Sequence, residues 1–472
     1  MFFYQRERTV GEAIVNKRQQ DRQQPLGILL RLSALILLTL VFYLFLSFVP
    51  LKARADNPIG QMDYHADEGV WIEAGRYYFH TFFIERDWRA AMWGQPRFGA
   101  FGKPTPPLGK YLFGAALYFQ PGGQYQPPPA DAGVGFNWEA ASKERPPQPV
   151  LEAARRPVLL LGALAATIIF LLVERMTHST TTALLASALF VLQPLVIRDS
   201  RRAMLDMPAL FFSLLALLLF VYLQLNLEQR QLKRAILLSI ATGFALGLGL
   251  STKLSAALTL VVLTSWWMLV LWGQFMLPVR APTEPDGVAP VVASWPRRLV
   301  LPAITLLLIL LTAAITFFAL NPLLYSQPLQ GLKEIMGLAS IVRQYDVPPE
   351  QRLDTLAERL LAVYRIGFVY SGPLSYWLRL PFVDAVLAFF GVAFCVYRVR
   401  AANGSQVQRV RAAMLLLWAG VTVAGIIYWV PFSWLRWYLP LEPVWVVFEA
   451  GGGAGFIHAL RAFGQRWSLQ RA

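Results

Sequence analysis

The chain has 472 residues, of which 56% are hydrophobic and only 15% charged, against about 25% charged in ordinary soluble proteins. That balance excludes a string of soluble domains, while 13% aromatic residues and 33 glycines exclude low-complexity disorder. The formal charge of +15 does not make a nucleic-acid stripe, because Lys and Arg fall in short clusters between apolar runs, where the positive-inside rule puts them. Cys395 is the single cysteine, so no intramolecular disulfide and no cysteine-cluster metal site can form. The composition is that of an all-α polytopic membrane protein.

Residues 1–24 are polar and basic and are expected to be a cytoplasmic N-terminus. The run Pro25–Pro50 follows, long enough to cross a hydrocarbon core of about 30 Å at about 1.5 Å per residue. Ala53-Arg54-Ala55 resembles a signal-peptidase site, but the run is about twice the length of a signal h-region, so an uncleaved anchor is expected. Nine further runs lie at Pro157–Val173, Thr182–Ile197, Pro208–Leu225, Ala235–Leu250, Leu254–Leu277, Leu299–Leu320, Phe382–Tyr397, Ala412–Val430 and Tyr438–Ile457. Leu108–Phe119 is apolar but too short to span. Leaving it out puts the Lys/Arg-rich segments Glu228–Arg234, Pro278–Arg298, Arg398–Arg411 and the tail 458–472 on the cytoplasmic side, as the rule requires.

The pattern predicts ten transmembrane helices within residues 25–457 and two outer loops, 51–156 and 321–381. The first carries a Pro/Gly-rich stretch at Pro121–Gly135. The amphipathic segments Gly69–Phe83 and Pro328–Tyr345 are expected as juxtamembrane helices lying along the surface. Most spans carry no ionisable residue at mid-depth, and Arg31, Asp384 and Glu442 fall near span ends. This argues against an ion-coupled transporter, since intramembrane charges usually mark ion paths.

Polar groups gather instead at the outer ends of the spans. Asp67-Glu68 reads either as a helix N-terminal cap or as a general base with an orienting carboxylate. The alternation Asp63, His65, Asp67 permits a weak divalent-metal arrangement. Lys103 and Lys110 flank the rigid Pro104-Thr105-Pro106-Pro107 and are either phosphate ligands or snorkelling interfacial lysines. Arg201 and Arg202 oppose the positive-inside rule and match phosphate geometry. Asp206 caps the next helix or orients an arginine. Lys253 and Arg436 are further cations in outer turns. The tryptophans of Trp434–Tyr438 fit an interfacial belt, and beside Arg436 they also fit a sugar-stacking platform.

In this order the residues resemble the protein O-mannosyltransferase family of lipid-donor glycosyltransferases. Asp67-Glu68 matches the family's acidic pair, and Thr105-Pro106-Pro107-Leu108-Gly109-Lys110 its His-Pro-Pro-Leu-Gly-Lys element, with Thr105 in place of His. Arg201–Asp206 matches Arg-x4-Asp, Gly247–Lys253 the Gly-rich span ending in Ser/Thr-Lys, and Arg436-Trp437-Tyr438-Leu439-Pro440 approximates Arg-Tyr-x-x-Pro. Lys103-Pro104 resembles the Lys-Pro-Pro of aminoarabinose-type, lipid-modifying transferases.

The resemblance implies a GT-C-type fold and transfer of a mannose-like sugar, with inversion, from a polyprenyl-phosphate donor to a hydroxyl. The acceptor is a protein or a lipid, and the site lies on the outer face. Asp67 would take the acceptor proton as the bond forms, and Glu68 would position hydroxyls. Arg201, Lys110, Lys253 and Arg436 would hold the leaving phosphate, supported by Lys103, Arg202 and Asp206. No cofactor and no nucleic-acid partner are expected, a divalent metal being the exception left open by Asp63, His65 and Asp67. The short cytoplasmic loops lean towards a bacterial plasma membrane. A polytopic transporter and a non-catalytic scaffold are the rival readings.

Overall fold

The computed structural model describes residues 28–51, 59, 64–89, 105–120, 145–229, 231–276, 295–343, 349–380, 382–401 and 406–455. Lys103, Asp63, His458, the Pro121–Gly135 stretch, both terminal tails and most of the Pro278–Arg298 loop lie outside them.

Within the described residues each of the ten apolar runs is helical, because each carries few Gly/Pro breaks and satisfies its backbone internally, as a bilayer demands. In chain order the helices are α1 (Ile28–Phe48), α2 (Ala66–Phe79), α3 (Leu108–Tyr118), α4 (Gln148–Thr177), α5 (Thr180–Leu192) and α6 (Pro194–Ser200). They continue with α7 (Asp206–Glu228), α8 (Leu232–Thr252), α9 (Ala257–Met276), α10 (Trp295–Leu320) and α11 (Pro328–Arg343). Then follow α12 (Leu356–Tyr364), α13 (Pro373–Leu378), α14 (Val383–Arg400), α15 (Gln406–Trp429) and α16 (residues 442–455). Six are long and apolar enough to cross a membrane, α1, α4, α7, α8, α10 and α15. The pair α5–α6 makes a seventh if counted as one span bent by 66°, the break falling at Gln193-Pro194, where proline removes a helix hydrogen bond. The other three runs give α9, α14 and α16. Among the described residues there is no strand, only one isolated bridge between Arg352 and Phe432.

Helix α1 shows most of its side chains to the outside (Ile28, Leu29, Leu30, Ile36, Leu37), as a lipid-facing helix should. The protein core lies among α4, α5, α7, α8 and α15. Glycines set the close crossings. A Cβ at Gly243 would fall 2.4 Å from the Ile309 carbonyl oxygen, and one at Gly247 2.8 Å from that of Ala313, so the Gly-rich stretch of α8 lies directly on the backbone of α10. This is the small-residue packing that lets helices approach in lipid.

Two expectations are corrected. The segment Gly69–Phe83 is not a surface helix. It begins earlier, at Ala66, continues as a π-helical turn at His80–Ile84, and buries Val70, Ile72, Ala74, Tyr77 and Tyr78 against α3. The reason is again small residues: the α2–α3 crossing is made by Gly75 against Gly114, where an added Cβ on Gly114 would lie 2.3 Å from the Gly75 oxygen. By contrast α11 does expose Leu329 and Met336, the face of a helix lying on a surface.

The second correction concerns mid-depth charge. Glu449 stands in the middle of the Tyr438–Ile457 run and is buried, as are Glu442 and Asp384. Asp384 accepts the backbone N–H groups of Leu374 (3.1 Å) and Ser375 (2.7 Å), capping α13. Both carboxyl oxygens of Glu442 and of Glu449 lack a hydrogen-bond partner.

The Gly75–Gly114 crossing holds α2, and with it Asp67, against α3. Gly114→Val should lower the thermal midpoint of the detergent-solubilised protein through overpacking of about 1–3 kcal/mol, whereas the same change at Gly420, where an added Cβ meets nothing within 4 Å, should leave it within about 0.5 kcal/mol.

Candidate active site

One end of the bundle carries a cavity of about 800 Å³. Asp67, Trp71, Asp206, Lys253, Trp434, Arg436 and Trp437 line its head, and Leu210, Leu214, Leu217, Leu258, Val262, Trp418 and Ile426 line its walls. The walls come from α7, α9 and α15. Along α7 the lining runs from Asp206 to Leu217, about 16 Å at about 1.5 Å per residue. A charged mouth thus opens into an apolar trough.

Local sequence explains where each head group sits. His65 is the N-cap of α2: its Nδ1 accepts the Asp67 N–H (3.1 Å), and the Glu68 side chain accepts the His65 N–H (3.0 Å), a reciprocal capping box. With the cap made by those two, the Asp67 side chain is left to point into the cavity, where it accepts from Arg436. Asp206 opens α7 and accepts from Lys253, which follows the C-terminus of α8 in extended backbone, a favourable place for a cation. Gly109 lets α3 seat beside this turn, since a Cβ there would fall 2.3 Å from Leu205.

Electrostatics follow from these pairs. Burial alone would push the Asp67 carboxyl up, but the Arg436 guanidinium, with His65 and Lys253 further off, outweighs it and holds the group below its ordinary value. Burial and the same arginine push the His65 imidazole down. Burial pushes Arg202 down to about 10, with Arg198 adding repulsion.

The structure brings together Asp67, Asp206, Lys253 and Arg436 and keeps four other expected residues off the cavity. Glu68 has no exposed surface; its oxygens accept from Arg155 Nε and a second guanidinium nitrogen (2.7 Å each), from the Ala203 N–H (2.9 Å) and from the His65 N–H. A carboxylate so saturated holds α2 to α4 and to the turn before α7, and does not reach sugar or acceptor hydroxyls. Lys110 is also fully buried: its Nζ donates to the Thr105 carbonyl (3.1 Å) and lies 4.2 Å from the Tyr78 ring centroid and 5.8 Å from that of Trp71. Burial pushes this ammonium well below its ordinary value, so it braces the Thr105-Pro106 turn and does not face the cavity as a phosphate ligand.

Arg201 is spent on the end of α1, donating to the carbonyls of Leu46 and Val49 (2.5 Å each), which satisfies helix-end acceptors. Arg202 is buried beside Glu68 and Arg198 and does not line the cavity. The metal arrangement is disfavoured by its donors: His65 Nδ1 serves the cap and Asp67 is engaged by Arg436, and no group of three His, Cys, Asp or Glu converges among the described residues.

Sequence reasoning missed Arg155, the partner of Glu68. Its signal was available: an arginine at the outer end of a span, two residues before Pro157, opposes the positive-inside rule as Arg201 does. It also underrated Trp71, which one helical turn places on the face of Asp67.

Residues 93–326 match the family described as dolichyl-phosphate-mannose-protein mannosyltransferase. That stretch is a little under half of the chain. Over 190 residues, 37% of this chain, it is 34% identical to dolichyl-phosphate-mannose–protein mannosyltransferase 1 of Schizosaccharomyces pombe, a stretch that spans 19% of that relative. Among solved structures, the apo oligosaccharyltransferase of Archaeoglobus fulgidus superposes with a TM-score of 0.50 at 15% identity, covering 92% of this chain and 52% of that one. ArnT of Cupriavidus metallidurans bound to undecaprenyl phosphate gives 0.47 at 16% identity, over 89% and 59%. The chain therefore spans about a fifth of the curated relative and about half of the archaeal enzyme. The chain shares the helical membrane fold of the archaeal protein, and the stretch matched by the family contains Arg201–Asp206 and Lys253.

The Glu68–Arg155 pair generates a test. Glu68→Gln leaves Arg155 largely buried without its anion, a loss of about 3–5 kcal/mol for broken pairs of this kind. Thermal unfolding in detergent should show a clear drop for Glu68→Gln relative to wild type. A Glu68→Gln protein of wild-type stability would mean that the pair does not hold α2 in place.

Proposed function

We propose that this chain is a membrane glycosyltransferase that moves a mannose-like sugar, with inversion, from a polyprenyl-phosphate donor to a protein hydroxyl on the outer face. One observation carries the reading: a single cavity joins two cation–carboxylate pairs, Arg436–Asp67 and Lys253–Asp206, to an apolar trough along α7. A phosphate on a long hydrocarbon tail needs that combination, a charged mouth for the head and a dry wall for the tail. The family match supports the mannosyl donor and the protein acceptor.

The chemistry uses the pairs in sequence. The donor phosphate competes with Asp67 for Arg436 and with Asp206 for Lys253, so the two cations face the oxygen on which negative charge grows as the sugar–phosphate bond breaks. Release of Arg436 leaves the Asp67 carboxylate more basic as the acceptor hydroxyl approaches. The acceptor oxygen bonds to the anomeric carbon from the face opposite the phosphate, its proton passes to Asp67, and polyprenyl phosphate leaves. Glu68, Lys110, Arg201 and Arg202 act beneath this by fixing α2, α3 and the turn before α7.

In this reading the ten helical runs cross a bacterial plasma membrane with both termini cytoplasmic and residues 25–457 as the transferase domain. The Lys/Arg-rich segments between spans support that sidedness. The buried carboxyls of Glu442, Glu449 and Asp384 stand apart from the cavity lining, so they do not favour an ion path through it.

Purified protein offered a panel of polyprenyl-phosphate sugars should release polyprenyl phosphate, and Asp67→Asn should cut release by about 100-fold or more. Wild-type release from folded Asp67→Asn would remove Asp67 as the base. Lys253→Met and Arg436→Gln should weaken donor use, whereas Arg201→Ala should act through stability with donor affinity in the folded fraction unchanged. The pH profile gives a separate check. Asp67 works as a base only when ionised, and Arg436 holds its carboxyl low, so the acid limb of kcat/KM should lie below the ordinary carboxylate range. Arg436→Gln removes the stabilising charge and should move that limb upward.

A further inference from the structure

Two aromatic walls line the cavity mouth together with Asp67. Trp434 and Trp437 come from the outer turn that carries Arg436, and Trp71 comes from α2. The first wall is rigid. Trp434 Nε1 donates to Gln351 Oε1 (3.0 Å), the Ser433 N–H donates to the Gln351 carbonyl (3.0 Å), and the Leu353 N–H to that of Pro431 (2.9 Å). Phe432 lies 5.1 Å from the Trp434 ring centroid, and Trp437 stands nearly perpendicular to Trp434 at 5.5 Å. On the other wall, Trp71 has the Lys110 ammonium 5.8 Å from its ring.

This is not how belt tryptophans are placed. A belt residue turns its ring to lipid and its N–H to the interface, whereas these indoles line an internal cavity beside two ion pairs, and the Trp434 N–H is used within the protein. Their position in the reaction follows from Arg436, which Trp434 and Trp437 flank in sequence. If the guanidinium meets the phosphate, the group bonded to that phosphate lies against them. A pyranose has an apolar C–H face and a hydroxyl edge; the first suits an indole face, and the second suits Asp67 and Asp206.

We infer that Trp434, held edge-on by Trp437, forms a stacking platform for the donor's sugar ring. The Arg436 guanidinium sits 5.7 Å from the Trp434 ring, so the phosphate-binding cation and the indole face lie side by side. The inference rests on the donor reading above and adds the part of the site that recognises the sugar.

The test separates sugar from lipid. Full-length protein in detergent is assayed for KM towards polyprenyl-phosphate mannose and for direct binding of polyprenyl phosphate, which lacks the sugar. Trp434→Leu should raise the donor KM about tenfold, the equivalent of one lost aromatic contact, and change polyprenyl phosphate binding by less than about twofold. Trp434→Phe, which keeps a ring and guards against a misfolded leucine variant, should recover most of the loss.

Equal loss of both ligands would make Trp434 a wall of the lipid trough or a packing residue and overturn the platform. A change confined to the acceptor KM would assign the indoles to the acceptor and overturn it as well, as would a Trp434→Leu protein with unchanged donor KM. Failure of wild type to bind polyprenyl phosphate at all would instead bring down the donor reading, and the platform with it.

Discussion

The ion pair between Asp67 and Arg436 joins residues 369 positions apart, and the cavity mouth depends on it. Asp67 stands at the start of the helix that follows the first span, and Arg436 in the turn between the last two. Neither segment would be fixed relative to the other by chain connectivity. The pair is made where burial strengthens attraction between charges but penalises each one alone, so it brings the two segments together only if both are supported from behind. Glu68 with Arg155 supports one, and the bonds of Gln351 and Leu353 to the Pro431–Trp434 strand-like stretch support the other.

The supports explain why so many charges are clustered at one end of the bundle. Arg201 on the end of α1, Arg155 on Glu68, Lys110 under Tyr78 and Lys253 on Asp206 each occupy a partner. Only the last reaches the cavity. The charged end of the bundle is thus two layers, an inner one that ties helices together and a smaller one turned to the cavity. The apolar trough beneath them needs no specific chemistry beyond leucine and tryptophan side chains that leave room between α7, α9 and α15.

Helix packing sets the positions of these layers through small residues. Gly75 against Gly114 seats the Asp67 helix, Gly109 seats the start of α3 beside Leu205, and Gly243 with Gly247 lays α8 on α10 so that Lys253 emerges next to Asp206. In lipid there is no hydrophobic gain from pressing two apolar helices together, and close backbone approach is what remains to hold them.

Apolar run length and Lys/Arg placement determined, from the sequence alone, where the helices lie and at which end the polar groups gather, because a bilayer imposes helix length and charge sidedness on any chain that enters it. The candidate acids and cations were legible for the same reason: an ionisable group at the outer end of a span stands out against an apolar background. Which of them face the cavity was not legible. Asp67 and Glu68 are neighbours in sequence, yet one points into the cavity and the other is saturated by Arg155, Ala203 and His65; Arg201 and Lys253 are both outer cations, yet one closes the end of α1 and the other lines the mouth. That choice belongs to the tertiary structure, since a side chain's role is set by which helix ends and carbonyls are brought within hydrogen-bonding distance. Those partners lie more than a hundred residues away in sequence for Arg201 and Arg436.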